Sequence, residues 1–395
     1  MATSATIPLR RPLDLQRTLA RTRPARVSAP GVWRATRTPA GPGTERLWLD
    51  GDRLRVEAWG PGADWLCENA ATLVGEQADD SAFAPRHPLL AELRRRHLGV
   101  RIPRTEAVLE ALVPTILEQK VIGKQARSAY RRLLQELGEP APGPQPLLLP
   151  PSAATLATTP YWVFHRWNVE QRRAQTIINA ARHARRLEET VTMAPAAAER
   201  RLRALPGIGP WSYAEVAVVA LGDPDAVSVG DYHLPQLVAW ALAGEAKATD
   251  ERMLELLEPY RGHRARVVQL LELAGIGPPR RGPRLSLQHI ASIYPPRQQH
   301  GDQRASGCQG ERTGETGGNR RSCVVRDGDR GAAEAGPERY PEPVGVLERR
   351  DGAGLGALRR RLRRDQVEGV EYHAHGRAGH SPGRIGEGQR AVQQG

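Results

Sequence analysis

The segment at residues 205–236 has the sequence LPGIGPWSYAEVAVVALGDPDAVSVGDYHLPQ, and it decides the fold. It predicts two helices, over residues 196–204 and 210–221, with a tight turn between them. Gly207 and Gly209 let the backbone turn sharply, and Pro210 favours the first turn of the second helix. The turn at residues 205–209 is called the hairpin below.

The hairpin predicts a binding site for an anion. Its backbone N–H groups stand at a helix N-terminus without helical partners, which suits one phosphate of DNA. Ile208 is expected to point back and hold the two helices together. We expect DNA contacts at Gly207, Ile208, Gly209 and Ser212. A similar sequence, LAGIG at residues 273–277, is followed by prolines, so we interpret it as a helix C-terminus.

The hairpin, a loop rich in Gly and Pro, and an aspartate follow one another up to Asp231. This order resembles the helix-hairpin-helix DNA glycosylases, in which the aspartate stands at the N-terminus of the next helix and faces the DNA. The match falls on Asp231, and its pairing with Tyr232 is most similar to the 3-methyladenine branch. The resemblance covers roughly residues 100–293 and extends more weakly to residues 1–99.

The resemblance implies a monofunctional DNA glycosylase of base excision repair, which hydrolyses the N-glycosidic bond of alkylated purines flipped out of double-stranded DNA. Asp231 would stabilise the positive charge that builds on the sugar and orient water. An ordinary helix N-cap is the other interpretation of Asp231. Bifunctional relatives carry a lysine two residues after the second glycine. Here that residue is Trp211, so no lyase activity is expected.

Aromatic side chains are expected to hold the flipped base, because alkylated purines are electron-poor and often cationic. The resemblance gives this role to Trp211 and Tyr232. Trp162 is added from the aromatic cluster at residues 161–167. Most of that cluster fits a core between two helices equally well.

Gln119 and Lys120 match the place where relatives carry the residue that fills the gap left by the flipped base. In relatives the residue after the Gln is usually apolar or Gln, and here it is Lys120. A wedge in the duplex and a phosphate contact therefore both stay open for Lys120. We expect both residues to lie against DNA. Glu215, one turn along the second helix, could act as a second acid, but we interpret it as either a solvated residue or a member of a polar network.

The composition favours a polyanion as partner. The formal net charge is +13, from 57 basic and 44 acidic residues, although a codon bias towards Arg explains part of it. The 3 cysteines lie far apart, which excludes a four-cysteine zinc or iron–sulfur site built from this chain alone. No metal or organic cofactor is expected, but the resemblance allows a monovalent ion at the hairpin carbonyls.

The N-terminus has no apolar run of the signal-peptide type, and no segment approaches the roughly 20 apolar residues that span a bilayer. We expect a cytoplasmic, nucleoid-associated monomer that does not contact a membrane.

The chain predicts an α+β protein in three regions. Residues 1–99 predict a small β-rich α/β domain, with a β-hairpin at residues 46–60. Residues 100–293 predict a mainly α-helical glycosylase domain of the helix-hairpin-helix type. Residues 294–395 hold 20 of the 40 glycines and predict a disordered tail. Four tryptophans are expected in the core of the sheet, namely Trp33, Trp48, Trp59 and Trp65.

Two details complete the predicted helical region. A long helical pattern at residues 105–138 contains Pro114, which is expected to kink it or split it in two. A proline-rich connector follows at residues 139–152.

Two other functions stay open. The hairpin region could grip DNA without any chemistry, although a phosphate-binding hairpin needs no carboxylate beside the DNA. The enzyme could also remove another lesion, such as oxidised guanine. That branch is usually bifunctional, and Trp211 in the lysine position counts against it.

Overall fold

The first part of the chain forms an antiparallel sheet of 5 strands in the order β1-β5-β4-β3-β2. The computed structural model describes residues 2–22, 25–27 and 31–278. The strands are β1 (Ala2–Pro8), β2 (Ala25–Val27), β3 (Val32–Thr38), β4 (Gly41–Asp50) and β5 (Arg53–Trp59). Two helices belong to this part, α1 (Leu15–Thr18) and α2 (Ala63–Leu73), and α2 packs on the sheet.

The predicted β-hairpin is confirmed by the pairing of β4 with β5. Asp50 pairs with Arg53, so the turn has only two residues between the strands, Gly51 and Asp52. Gly51 adopts φ +61°, a backbone conformation that glycine takes without steric cost. The tight turn fixes the register of β4 against β5.

The predicted tryptophan core of the sheet is confirmed for Trp33 and Trp65 and wrong for Trp48 and Trp59. Trp33 is buried, and the half-buried Trp65 packs against the core of the sheet, but Trp48 and Trp59 are only half-buried and are not part of that core. The core between the sheet and α2 consists mainly of aliphatic side chains. Trp33 and Trp59 stack at 5.3 Å between ring centroids. The aromatic side chains therefore cover part of the sheet, and the aliphatic ones fill the core.

Twelve further helices follow in the described residues. They are α3 (Pro88–Arg96), α4 (Val108–Glu118), α5 (Gly123–Leu137), α6 (Ala153–Thr158), α7 (Tyr161–Phe164), α8 (Gln171–Arg182), α9 (Ala184–Glu188), α10 (Pro195–Arg203), α11 (Pro210–Val216), α12 (Leu234–Ala243), α13 (Asp250–Leu257) and α14 (Arg264–Ala274). A π-helical turn, Ala217–Leu221, prolongs α11. The predicted α+β fold class is confirmed, with helices in the majority.

Pro114 does not split the helical pattern in two, so that alternative is wrong, and the predicted kink stays a prediction. The proline lies inside α4, which continues to Glu118. Ile116 and Leu117 are fully buried, and the continued helix keeps both in the core. The break comes later, between α4 and α5, where Lys120 adopts φ +55°.

The proline-rich connector forms a short ladder of two strands, β6 (Glu139–Pro140) and β7 (Leu148–Leu149). It closes against the sheet, because an added Cβ on Gly143 would lie 3.1 Å from the Trp59 ring. The LAGIG segment ends a helix as predicted, with Gly275 as the left-handed C-cap of α14.

Two hydrophobic cores meet at the segment that links α11 to α12. The larger core joins α4, α5, α8 and the helices on both sides of the hairpin. A second core joins α3 to α12, α13 and α14. The loop that carries Asp231 runs from one core to the other. The predicted domain limits stay a prediction, and the predicted tail at residues 294–395 lies outside the described residues.

Candidate active site

The hairpin joins α10 to α11 by a turn that only glycine fits at one position. Gly207 adopts φ +93°, and an added Cβ would meet Thr176 Oγ1 at 2.4 Å. Leu205 and Ile208 are buried in the larger core, so Ile208 holds the two helices together as predicted. An added Cβ on Gly209 would meet nothing within 4 Å. The hairpin is therefore tightly packed at Gly207 and open at Gly209.

The first turn of α11 leaves backbone donors for a ligand. Pro210 is the first helical residue and has no N–H. The first intrahelical hydrogen bond is donated by Tyr213 N–H to Gly209 O at 3.0 Å. The N–H groups of Trp211 and Ser212 precede that bond, which is the usual condition at a helix N-terminus. This end of α11 fits an anion by its donors and by the helix dipole.

Gln119 connects the α4–α5 break to the hairpin. Its side-chain Nε2 donates to Gly207 O at 2.9 Å and to Ser212 Oγ at 2.9 Å. Ser212 is itself buried, so its hydroxyl faces Gln119. The structure thus brings together three of the residues predicted to contact DNA, namely Gln119, Gly207 and Ser212. Their contacts with DNA stay a prediction.

Asp231 faces the hairpin helix and also caps α12. Its Oδ1 accepts the N–H of His233 at 2.7 Å and of Leu234 at 2.8 Å. Its Oδ2 accepts the indole Nε1–H of Trp211 at 3.1 Å. Asp231 therefore has the hydrogen bonds expected of a helix cap. This role does not exclude catalysis, because the second carboxylate oxygen is turned towards α11.

The loop around Asp231 is tied to its neighbours at two further points. The N–H of Asp231 donates to Ser228 O at 3.2 Å, and Ser228 Oγ donates to Glu215 Oε1 at 2.5 Å. The N–H of Gly230 donates to Asp250 Oδ2 at 3.0 Å. The position of Asp231 is thus set by several contacts of its own loop.

Glu215 lies in a polar network and is not simply solvated, so the structure selects one of the two interpretations left open by the sequence. Its second oxygen forms an ion pair with Arg21, which also lies 3.6 Å from Glu272. Burial raises the pKa of Glu272, and the charges of Glu215 and Asp231 add to the rise while Arg21 opposes it. Sequence reasoning missed Arg21 and Glu272, because no local pattern links residues so far apart in the chain, and it missed Ser228 because a serine in a loop carries no signal of its partner.

The three predicted base-pocket residues lie in different surroundings. Trp211 is half-buried and bonded to Asp231. Tyr232 is 82% exposed, with its ring edge-on to His233 at 4.8 Å. Trp162 is 60% exposed, and its described ring contact is with Tyr161. The geometry therefore brings Trp211 to Asp231, leaves Tyr232 beside it in the chain, and gives no described contact between Trp162 and this site.

The core interpretation of the aromatic cluster is correct for Phe164 and Trp167. Both are fully buried, and their rings meet edge-on at 5.1 Å. Trp167 also donates its indole N–H to Glu136 Oε1 at 2.6 Å.

Lys120 is exposed and adopts a left-handed backbone conformation. Such a conformation costs a residue other than glycine about 1–2 kcal/mol. Strained residues of this kind occur often at ligand-binding sites. Its neighbour Gln119 is bonded to the hairpin, so Lys120 stands at the edge of the same surface.

Comparison with known proteins identifies the fold. No family model and no curated protein matches the sequence. The solved structure of the 3-methyladenine DNA-glycosylase from Archaeoglobus fulgidus is similar, with a TM-score of 0.58 and 17% identity over 68% of this chain and 97% of that chain. The chain has the fold of the helix-hairpin-helix DNA glycosylases. The resemblance inferred from the sequence is confirmed at the level of the fold.

The same glycosylase fold occurs in two structures of the Clostridium acetobutylicum 8-oxoguanine glycosylase/lyase. The apo form has a TM-score of 0.53 and 13% identity over 68% of this chain and 95% of that chain. The complex with double-stranded DNA containing cytosine opposite 8-oxoG has a TM-score of 0.53 and 12% identity over 70% and 99%. The fold alone therefore does not select a lesion.

The described part of the glycosylase fold contains no group of three or more side chains of the kinds that hold a metal ion. Leu205 O and Gly207 O already accept hydrogen bonds, but a carbonyl has a second lone pair. These oxygens fit a monovalent cation by type, and the ion stays a prediction. Among the described helices, none has the length and apolar character needed to cross a bilayer.

Proposed function

We propose that this protein is a monofunctional DNA glycosylase that releases alkylated purines of the 3-methyladenine type from double-stranded DNA. The observation that carries the proposal is the hydrogen bond between Trp211 and Asp231. It joins the candidate catalytic carboxylate to the helix whose N-terminus fits a DNA phosphate. The fold is the one that DNA glycosylases use.

The chemistry needs an anion close to the sugar. As the N-glycosidic bond breaks, its electron pair leaves with the base and positive charge develops on the sugar. A carboxylate fixed by donors before the reaction stabilises that charge without reorganising. Water then adds to the sugar carbon and loses a proton, and we assign the orientation of this water to Asp231. The products are a free base and an abasic site.

An alkylated purine suits a site that supplies no strong acid. Such a base is often cationic before cleavage and leaves as a neutral molecule, so it needs no proton from the protein. Aromatic faces attract a cation through their quadrupole. Trp211 is bonded to Asp231, and the exposed ring of Tyr232 belongs to the next residue along the chain. Trp162 stays a weaker candidate for the same role.

DNA would be gripped by the hairpin surface. The open Gly209, the N–H groups that follow Pro210 and the exposed Lys120 lie around the Gln119 contact. A net charge of +13 supports binding to a polyanion. Gln119 would act mainly by holding the hairpin, because its amide donors are used there.

The absence of lyase activity is part of the proposal. A lyase needs an amine that attacks the sugar and forms a Schiff base. The position that carries this lysine in bifunctional relatives is Trp211, whose side chain donates to Asp231. We expect no covalent protein–DNA complex when the reaction with methylated duplex is trapped with borohydride. A trapped complex that disappears in Lys120→Ala would overturn this part of the proposal.

The decisive test is the release of free base from methylated duplex DNA by the wild type and by Asp231→Asn. Asparagine keeps an oxygen for the α12 cap but removes the charge. We expect the wild type to release 3-methyladenine and the variant to bind DNA while its rate falls by about 100-fold or more. Asp52→Asn, in the exposed β4–β5 turn, is the matched control and keeps full activity. Salt-dependent DNA binding without base release by the wild type would support a binding module or another lesion.

A further inference from the structure

The loop before α12 and the helix α11 are tied together at two points one helical turn apart. Trp211 and Glu215 are four residues apart, so they share one face of α11. Trp211 donates to Asp231 at 3.1 Å, and Glu215 accepts from Ser228 at 2.5 Å. Ser228 O in turn accepts the N–H of Asp231 at 3.2 Å. The contacts form a closed ring of four residues that includes the proposed catalytic carboxylate.

Arg21 completes this ring from a distant part of the chain. Its guanidinium forms an ion pair with the Glu215 oxygen that Ser228 does not use. Both oxygens of Glu215 are therefore engaged, and its side chain is only 19% exposed. A charge-assisted pair of this kind is stronger and more directional than a neutral hydrogen bond. Arg21 follows α1, so the partner of Glu215 comes from the part of the chain that builds the sheet.

The charges explain why this position needs a cation. Asp231, Glu215 and Glu272 carry like charges close enough to interact, because Asp231 and Glu215 both contribute to the raised pKa of Glu272. Arg21 pairs with Glu215 and lies 3.6 Å from Glu272. Attraction by Glu215 is the main reason that the pKa of Arg21 is raised. Removal of Arg21 would leave the carboxylates without their shared counter-charge.

We infer that Arg21, Glu215 and Ser228 form a positioning relay that sets the place of Asp231, so that the N-terminal part of the chain completes the active site. The inference rests on the proposed function, in which Asp231 is the catalytic carboxylate. The three residues of the relay act through Asp231 and are not assigned contact with the sugar or the base.

The first experiment measures base release in single turnovers by Ser228→Ala and Arg21→Met. A carboxylate displaced by a fraction of an ångström loses much of its effect, so we expect the rate to fall about 10-fold while the Kd for DNA stays within about twofold. Ser228→Thr and Arg21→Lys keep the hydroxyl and the charge, and we expect both to restore much of the rate. Arg17→Met is the matched control, because it removes one exposed guanidinium that pairs with Asp14 in the same part of the chain.

The second experiment separates positioning from general damage. In an Asp231→Asn background, Ser228→Ala should reduce the remaining rate by less than about twofold, because coupled residues are not additive. Amide hydrogen exchange gives a readout that does not need activity. We expect the N–H groups of His233 and Leu234, which donate to Asp231, to exchange faster in Ser228→Ala and Arg21→Met than in Arg17→Met.

The outcomes distinguish the relay from the proposed function. Unchanged exchange and unchanged rates in Ser228→Ala and Arg21→Met overturn the relay, even when Asp231→Asn is inactive. Full activity of Asp231→Asn overturns the proposed function, while the exchange data still decide whether the relay holds the loop. If Arg21→Met does not fold, the relay is tested by the rate and the amide exchange of Ser228→Ala. These are compared with those of the conservative variants Ser228→Thr and Arg21→Lys.

Discussion

Asp231 and Glu188 each accept two backbone N–H groups at the start of a helix. Asp231 binds those at the start of α12 at 2.7 and 2.8 Å, with one oxygen. Glu188 binds those of Val108 and Leu109 at the start of α4, one with each oxygen, both at 2.8 Å. The backbone chemistry is the same. The two regions differ in what surrounds the carboxylate.

The Asp231 cap is local and keeps an oxygen for another partner, whereas the Glu188 cap is distant and uses both oxygens. Glu188 comes from α9, about 80 residues along the chain from its partners. It lines a largely apolar cavity of about 490 Å³. Burial raises the pKa of Glu188 to about 7 in spite of its two N–H donors. A helix cap is therefore a candidate for catalysis when one of its carboxylate oxygens stays directed at a surface that can hold a ligand.

The two carboxylates should differ most in their effect on the rate of base release. Asp231→Asn should lower base release by about 100-fold or more, which corresponds to about 3 kcal/mol of transition-state stabilisation. Glu188→Gln should leave the rate at neutral pH and 25 °C within about twofold. Single-turnover release from methylated duplex, measured for both variants, checks the prediction. An equal loss in both variants would mean that Asp231 has only the structural role of Glu188.

The next largest effect is on the free energy of unfolding, to which Glu188 should make a contribution that depends on pH. The pKa of Glu188 is raised on folding, so between its ordinary value and about 7 the folded chain holds a proton that the unfolded chain has released. The stability of the wild type relative to Glu188→Gln should therefore fall as pH rises from 5 to 8, by up to about 3 kcal/mol. Urea unfolding at both pH values measures it. A difference that is independent of pH would contradict the prediction.

A smaller effect on the rate is expected from the indole N–H of Trp211. This is a third donor to Asp231, and Glu188 has no counterpart to it among the described contacts. Trp211→Phe keeps an aromatic ring for the base but removes the indole N–H, and we expect base release to fall about 10-fold with little change in DNA affinity. Trp167→Phe is the matched control, because it also removes an indole–carboxylate bond, to Glu136, in the core. Its rate should equal that of the wild type. Equal rates in the two variants would remove Trp211 from the site.

The same two regions show how far the sequence could predict this protein. The hairpin and Asp231 were predicted because their signals are local: glycines, a proline and an aspartate within 27 residues. The contacts of Glu188 with α4 and of Arg21 with Glu215 join residues 80 and 194 positions apart. Contacts between residues so far apart cannot be predicted from helical periodicity or turn patterns. The split expected at Pro114 does not occur for a related reason, since burial of the residues after it outweighs the local cost of proline in a helix.

The smallest expected effect compares two strained residues, one in each region. Lys120 at φ +55° follows Gln119 beside the hairpin, and Glu106 at φ +54° lines the Glu188 cavity. Glycine relieves the strain at either position, so Lys120→Gly should raise the free energy of unfolding by about 0.5–1 kcal/mol. Glu106→Gly should gain less, because it also loses the contact with Arg104 at 3.0 Å. The two stabilities come from urea unfolding.

Only the residue at the hairpin surface should also change DNA binding. If Lys120 contacts a phosphate, Lys120→Gly weakens binding and lowers the slope of log Kd against log salt by about 1, and Glu106→Gly leaves both unchanged. A titration of each variant with undamaged duplex at several salt concentrations measures this. An unchanged slope in Lys120→Gly, with the expected gain in stability, would remove the phosphate contact and leave insertion into the duplex as the role of Lys120. A strained backbone conformation alone therefore does not identify a DNA-binding residue. A change in DNA affinity or in its salt dependence is needed as well.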